Sequence, residues 1–166
     1  MEAKKITDSI DSINEWIGRV VSFLVVVITL IVVFEVFMRR VLGSPTIWTF
    51  ETTKQIYAAH FMLLTPFALL HNAHVSVNIF YQKLRKKTQA VLDILTYLVF
   101  FFPFTVIILW KGTMFAHKSW SMLETSWSVF SAPLYYIKTV IPITALLLII
   151  QGLSILIKKI NILLEN

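Results

Sequence analysis

The sequence predicts an all-α integral membrane protein, with one membrane domain over residues 1–166, four transmembrane helices and an N-terminal amphipathic interfacial segment. Two observations carry this prediction: 57% of the residues are hydrophobic and only 14% are charged, and the mean hydropathy is +0.77. A soluble domain carries about 25% charged residues, so this short chain lacks the polar groups to cover a water-facing surface. Disordered, collagen-like and disulfide-rich secreted proteins and ordinary soluble enzymes are excluded.

The N-terminal segment has isoleucines at helical spacing with polar residues between them, which is typical of a helix lying on the membrane surface. The isoleucines are Ile6, Ile10, Ile13 and Ile17, and the polar residues are Asp8, Asp11, Ser12 and Glu15. Ser12 and Glu15 have the spacing of a capping box, so a helix could begin there. The mixed charge of this segment argues against a cleaved signal peptide.

Four apolar runs have the roughly 20 residues that a transmembrane helix needs. The predicted spans are 20–38, 50–71, 90–110 and 133–157. Arg39-Arg40 end the first span, and Lys158-Lys159 end the fourth. The second span is the least hydrophobic, and Pro66 predicts a kink near its end. A polar and aromatic loop is predicted from Lys111 to Ala132.

The distribution of basic residues predicts the orientation. With four spans, the two tails share one side with the loop between the second and third spans. That side holds the tight cluster Lys83, Arg85, Lys86 and Lys87. Both termini are therefore predicted to be cytoplasmic. The net charge of +6 follows from these loops and does not indicate nucleic-acid binding.

Ionisable residues at membrane depth are candidates for function, because an unpaired charge in hydrocarbon is costly. Glu35 and Arg39 have i, i+4 spacing, and Glu51 and Lys54 have i, i+3 spacing. Three interpretations stay open: ion pairs that fix helix depth, contacts to another membrane subunit, and an ion or proton path. All four charges lie near the same membrane face, which weakens the pathway interpretation.

The histidines and the absence of cysteine bear on cofactors. His60 and His74 are spaced as in helices that hold two stacked haems, but four axial ligands are needed and the other histidines, His71 and His117, are unsuitably placed. His71 and His74 have no neighbouring carboxylate for a metal site, and there is no cysteine for a thiolate ligand. No cofactor, no metal site and no enzymatic activity are predicted.

Several ordered features indicate a family. They are Arg39-Arg40 closing the first helix, Trp48 and Glu51 opening the second, His74-Val75-x-Val77 after it, and the stretch PLYYIKTVIPITALLLIIQGL from Pro133. In these features the chain resembles the small membrane subunit (DctQ family) of tripartite ATP-independent periplasmic (TRAP) transporters. At Asn78 the family often has an aspartate, so an ion pair is not carried over to that position.

The resemblance implies an accessory subunit of a sodium-coupled transporter that imports an organic anion, such as a carboxylate, across the bacterial inner membrane. The implied partners are a large multispan transport subunit, which this chain would brace, and a periplasmic substrate-binding protein. The candidates for fixing the helices or the partner interface are Glu35, Arg39, Arg40, Trp48, Glu51 and His74. The candidates for periplasmic docking are Lys118, Trp120, Glu124 and Trp127.

Two other classes of function stay open at this point. A self-sufficient small carrier or efflux protein would use Glu35 or Glu51 as an intramembrane proton site. A membrane-anchored electron carrier would need the haem ligands that the histidine count disfavours.

Overall fold

The structure is a computed structural model that describes residues 2–71 and 84–164. These residues form α1 (Glu2–Ser22), α2 (Leu24–Arg40), α3 (Thr49–Leu70), α4 (Lys86–Thr96), a π-helical turn (Tyr97–Phe101), α5 (Phe102–Ser121) and α6 (Tyr135–Leu164). Within the described ranges the regular elements are helical, with one isolated bridge between Thr125 and Pro133. The all-α prediction is confirmed.

The helices join into four rods. Phe23 alone separates α1 from α2, and α4 continues through the π-helical turn into α5. Three described segments are long and apolar enough to cross a membrane: 4–40, 86–121 and 135–164. The fourth rod is α3, whose 22 residues include Glu51, Lys54, Gln55 and His60. Its polar composition sets it apart from the other three, so the four-span arrangement stays a prediction.

Polar contacts of α1 show how the first rod runs against α3. The Glu15 carboxylate lies 2.7 Å from Nε2 of His71, and Nδ1 of His60 lies 3.0 Å from the Val21 carbonyl oxygen. Residues later in α1 thus meet residues earlier in α3, and the two helices are antiparallel.

The same logic gives the direction of α6. Lys158 pairs with Asp11, whereas the earlier residue Gln151 bonds to Asn14. Lys159 pairs with Asp93 of α4 at 2.6 Å. Both α1 and α4 are therefore antiparallel to α6.

These contacts define two ends of the bundle. The tail end holds the first turns of α1 and α4 and the lysine pair of α6. The loop end holds the α2–α3 connection and the α5–α6 connection, because Gln55 of α3 donates to the Pro133 carbonyl oxygen at 3.1 Å.

Small and polar residues fill the interior. A Cβ atom added to Gly18 would lie 2.2 Å from the Phe67 ring, and one added to Gly152 would lie 2.4 Å from the Phe101 ring. Most of the buried apolar residues are alanines, and the largest fully buried side chain is Gln151. Small residues let membrane helices approach closely, and polar side chains then bond across the contact.

Two predicted boundaries are wrong. The predicted loop from Lys111 to Ala132 is helical as far as Ser121, because Ala116 and Ser119 are buried along α5. The fourth helix does not end at Lys158-Lys159 but continues to Leu164. The aspartates that pair with those lysines offset their charge, so the lysines do not act as a helix stop.

The predicted capping box is also wrong. Ser12 lies inside α1, and its hydroxyl donates to the Asp8 carbonyl oxygen at 2.8 Å. The helix had already begun at Glu2. A hydroxyl that bonds back to the preceding turn is the usual alternative to a capping role.

Candidate functional site

The most fully bonded charged side chain at the loop end is Glu35, near the end of α2. One carboxylate oxygen accepts from Arg39 at 2.8 Å, which is the i, i+4 spacing seen in the sequence. The other accepts from the Thr46 hydroxyl at 2.5 Å, the Thr46 backbone N–H at 3.2 Å and the Thr49 hydroxyl at 2.9 Å. Glu35 therefore ties the end of α2 to the start of α3.

The connection between α2 and α3 makes this cluster possible. Gly43 adopts a left-handed backbone with φ of +62°, which glycine reaches without a steric penalty. The Ser44 N–H then donates to the Met38 carbonyl oxygen at 3.0 Å, and the chain turns back. Thr46 and Thr49 are brought under Glu35, with their hydroxyls 2.6 Å apart.

The remaining loop-end candidates surround this cluster. The Trp48 ring packs on Phe34 of α2, with centroids 6.1 Å apart. Glu51 and Lys54 approach to 3.9 Å, a loose pair in which the lysine also lies over the Phe50 ring. Arg40 is exposed at the end of α2. His74 and Asn78 lie outside the described residues.

Two of the four predicted docking residues, Glu124 and the 44%-exposed Trp120, also bond within the chain. Lys138 of α6 donates to the Glu124 carboxylate. This hydrogen bond holds the pKa of Glu124 below its usual value, since it stabilises the charged form. The Trp120 indole N–H donates to the Thr139 hydroxyl at 2.8 Å, and its ring stacks on Tyr135 at 4.4 Å. These contacts join the end of α5 to the start of α6.

The other two docking candidates face outward. Lys118 is exposed, and Trp127 is fully exposed at the tip of the α5–α6 connection. Val129 beside it is 89% exposed. The tip is held in shape from within, because the Ser126 N–H donates to the Ala132 carbonyl oxygen at 2.8 Å and the Leu134 N–H to that of Glu124 at 2.8 Å. An exposed indole thus sits on an ordered turn.

A polar network that the sequence did not predict joins α1 to α6 near the tail end. The Asn14 amide donates to the Gln151 side-chain oxygen at 2.7 Å. Asp11 accepts from Gln151 at 3.0 Å and from Ser154 at 2.8 Å, and it pairs with Lys158. Gln151 and Ser154 are completely buried, and Asn14 nearly so.

The sequence did carry a signal for this network. Asp11, Asn14 and Gly18 share one face of α1, and the inward residues of α1 follow that face. Gln151 within an apolar run was the other signal, because an amide in a transmembrane helix needs a partner.

Two of the three described histidines make contacts between helices. His60 and His71 both bond to α1, and their rings pack on Phe61 and Phe67 respectively. Among residues 2–71 and 84–164 there is no group of three His, Asp or Glu side chains that could hold a metal ion.

The comparison with protein families identifies the chain. The sequence model of the family described as "Tripartite ATP-independent periplasmic transporters, DctQ component" matches residues 28–161, from α2 into the last turn of α6. The chain belongs to the DctQ family. No curated protein and no solved structure matches it.

Family membership fixes the coarse function. This DctQ component is a membrane-embedded accessory subunit of a TRAP transporter and not an enzyme. The family implies two kinds of partner, a large permease subunit and a substrate-binding protein. The resemblance seen in the sequence is confirmed. The match begins after α1, so the α1–α6 polar network lies partly outside the matched residues.

Proposed function

We propose that this chain braces the large transport subunit of a sodium-coupled TRAP transporter that imports an organic anion, such as a carboxylate. The observation that carries the proposal is that polar side chains of different helices bond to one another inside the chain. Asn14, Gln151 and Asp11 join α1 to α6, and Glu35 joins α2 to α3. Such bonds favour a rigid scaffold, because each ties one helix to the next.

The same contacts argue against a self-sufficient proton carrier. A proton-carrying carboxylate must exchange its proton with water or substrate at membrane depth. Glu35 instead accepts hydrogen bonds from Arg39, Thr46 and Thr49, so both of its oxygens are already engaged within the chain. Glu51 lies in the first turn of α3, beside the exposed Lys54.

The proposed location is the bacterial inner membrane, with the tail end and both termini in the cytoplasm. Asp11 and Asp93 offset the charges of Lys158 and Lys159. Five further cations at this end are exposed: Lys4, Lys5, Arg85, Lys86 and Lys87. Nine Lys and Arg belong to the side of the tails and six to the other side, and such an excess favours the cytoplasmic side.

In this orientation the loop end faces the periplasm and contributes to docking of the substrate-binding protein. Trp127 and Lys118 are the side chains proposed to touch that protein, because both are exposed. Trp120 and Glu124 support the docking surface from beneath through Thr139 and Lys138. Exposed tryptophans are enriched among the residues that carry binding energy at interfaces.

Reconstitution of the three components in liposomes tests the proposal. Uptake of a radiolabelled organic anion is expected only when this chain, the large subunit and the binding protein are all present and a sodium gradient points inward. Trp127→Ala should raise the concentration of binding protein needed for half-maximal uptake. Trp110→Ala, at a membrane-facing position that is also exposed, is the matched control. Uptake by this chain alone would overturn the proposal.

A further inference from the structure

The first rod carries an exposed apolar seam that repeats every seven residues. One position of the repeat holds Ile6, Ile13, Val20, Val27 and Phe34. The position three residues later holds Ser9, Trp16, Phe23, Leu30 and Phe37, so every position of the seam except Ser9 is apolar. The nine apolar side chains are between 41% and 72% exposed. A seven-residue apolar repeat is the pattern by which one helix packs along another.

The bulky side chains of this rod are sorted onto the seam. All four aromatic residues between positions 2 and 40 belong to it: Trp16, Phe23, Phe34 and Phe37. The other large exposed apolar residues of α2 are all valines: Val25, Val26, Val32, Val33 and Val36. A surface that meets only lipid tails has no reason to separate side chains by size in this way.

The α1 part of the seam is unusual because the helix is apolar outside and polar inside. Thr7 and Asn14 are buried against the bundle, and Asp11 points at α6. Ile6, Ile13 and Trp16 face outward. An outward apolar stripe on an otherwise polar helix needs an apolar cover.

The length of the seam shows that lipid tails cannot provide all of that cover. Between Ile6 and Phe37 a helix rises by about 47 Å, at about 1.5 Å per residue. Even at a tilt of about 40° from the membrane normal, this length projects to about 36 Å. The hydrocarbon core is only about 30 Å thick. Part of the seam therefore extends beyond the tails.

We propose that this seam, which runs from Ile6 to Phe37, is the face of the chain that receives a long apolar helix of the large transport subunit. The inference rests on the proposed function, since that function supplies the partner. The seven-residue repeat supplies the geometry, because it keeps one helix in register with another over the whole rod. The interface then includes α1, which lies before the residues that define the family match.

Site-specific cross-linking tests the seam directly. The chain has no cysteine, so a single introduced cysteine can be labelled with benzophenone maleimide. Phe23→Cys, Leu30→Cys and Ile13→Cys place the probe on the seam. Val25→Cys and Val32→Cys are the matched controls, because both are exposed and lie on the opposite side of α2. Each variant is co-expressed with the tagged large subunit and irradiated in native membranes.

The expected result is a cross-link to the large subunit from the three seam positions, several-fold stronger than from Val25→Cys or Val32→Cys. Two results would overturn the proposed seam: cross-linking from the controls that is equal or stronger, or a cross-linked product that contains two copies of this chain. If the two subunits still co-purify, the proposed function is not affected by either result. Loss of Ile13→Cys cross-linking alone would overturn the extension into α1. Failure of the unmodified chain to co-purify with the large subunit would instead contradict the proposed function.

Discussion

At the scale of single residues, buried polar side chains hold the helices together, as apolar packing does in the core of a soluble protein. Gln151 is completely buried in α6, where it accepts from Asn14 and donates to Asp11. Inside a bilayer the hydrophobic effect does not favour contact between two helices over contact between a helix and lipid chains. Hydrogen bonds such as these therefore contribute to helix association. The two bonds of Gln151 hold α1 onto α6.

Replacing Gln151 with leucine tests this role at nearly constant volume. Gln151→Leu removes both bonds and leaves Asn14 buried without its partner, so we expect a loss of about 1–2 kcal/mol in the free energy of unfolding. Titration with a denaturing detergent, followed by circular dichroism, measures it. Thr29→Val is the control, since the exposed Thr29 hydroxyl bonds only to the Val25 carbonyl oxygen. Equal stability of both variants and the unmodified chain would contradict the prediction.

The Glu124–Lys138 pair predicts a pH dependence of the α5–α6 connection. The pKa of Glu124 is lower in the folded chain than its ordinary value of 4.5, chiefly because Lys138 donates to it. A lowered carboxyl pKa adds stability above the ordinary pKa, and this stability is lost as pH falls below it. At pH 7 we expect the unmodified chain to have a higher melting temperature than the Glu124→Gln variant. The difference between the two melting temperatures should shrink towards pH 4. Tryptophan fluorescence in micelles reports it, and a difference that is constant with pH would contradict the assignment.

Single side chains also show which parts of the site could be predicted. The Glu35–Arg39 pair follows from helical spacing alone, because both residues share one helix face. Thr46 and Thr49 could not be predicted as partners of Glu35, since they reach it only after the chain turns back at Gly43. The sequence positions of Trp120 and Glu124 also did not predict that they bond to Thr139 and Lys138 of α6. That these two residues also contact a partner protein stays a prediction.

At the scale of the elements, the helix cores were predictable and their ends were not. A helix was predicted over 50–71, and α3 occupies Thr49–Leu70. The three described segments that are apolar enough to cross a membrane do not include α3, so its place as a span stays a prediction. Lys158 and Lys159 did not reveal where α6 ends, since Asp11 of α1 and Asp93 of α4 pair with them. Which face of α1 packs on α6 could not be predicted either, because its partners Gln151 and Ser154 lie far away in the sequence.

Close approach of α1 and α3 at Gly18 gives a prediction about helix packing. A Cβ atom there would lie 2.2–2.6 Å from Cδ2, Cγ and Cβ of Phe67, so the whole phenylalanine must move. Gly18→Ala is expected to destabilise the bundle by about 1–3 kcal/mol, as overpacking does. Gly112→Ala should have a smaller effect, because its Cβ would approach one methyl group of Ile141 to 2.9 Å and would meet Pro142 at an ordinary 3.6 Å. Denaturation in detergent measures the free energy of unfolding of both variants. A larger loss for Gly112→Ala than for Gly18→Ala would contradict this prediction.

At the scale of the whole molecule, the charges separate into two ends with different chemistry. The tail end uses two aspartates to hold two lysines of α6, and it exposes cations from α1 and α4. The loop end pairs each described acidic residue with a nearby cation, through Glu35–Arg39, Glu51–Lys54 and Glu124–Lys138. It also exposes Trp127. From the positive-inside rule we therefore expect the tail end to lie in the cytoplasm.

The absence of cysteine makes this orientation directly measurable. Lys87→Cys at the tail end and Ser128→Cys beside Trp127 each introduce one thiol into a cysteine-free chain. Because charged maleimides do not cross the inner membrane, Ser128→Cys should be labelled in intact spheroplasts, whereas Lys87→Cys should be labelled only after the membrane is permeabilised. Thr29→Cys, in the middle of α2, should resist labelling in both conditions. The opposite pattern at residues 87 and 128 would invert the topology. Labelling of both from outside would mean that the two ends of the bundle do not lie on opposite sides of the membrane, and the scaffold would have to be redrawn with α3 outside the bilayer.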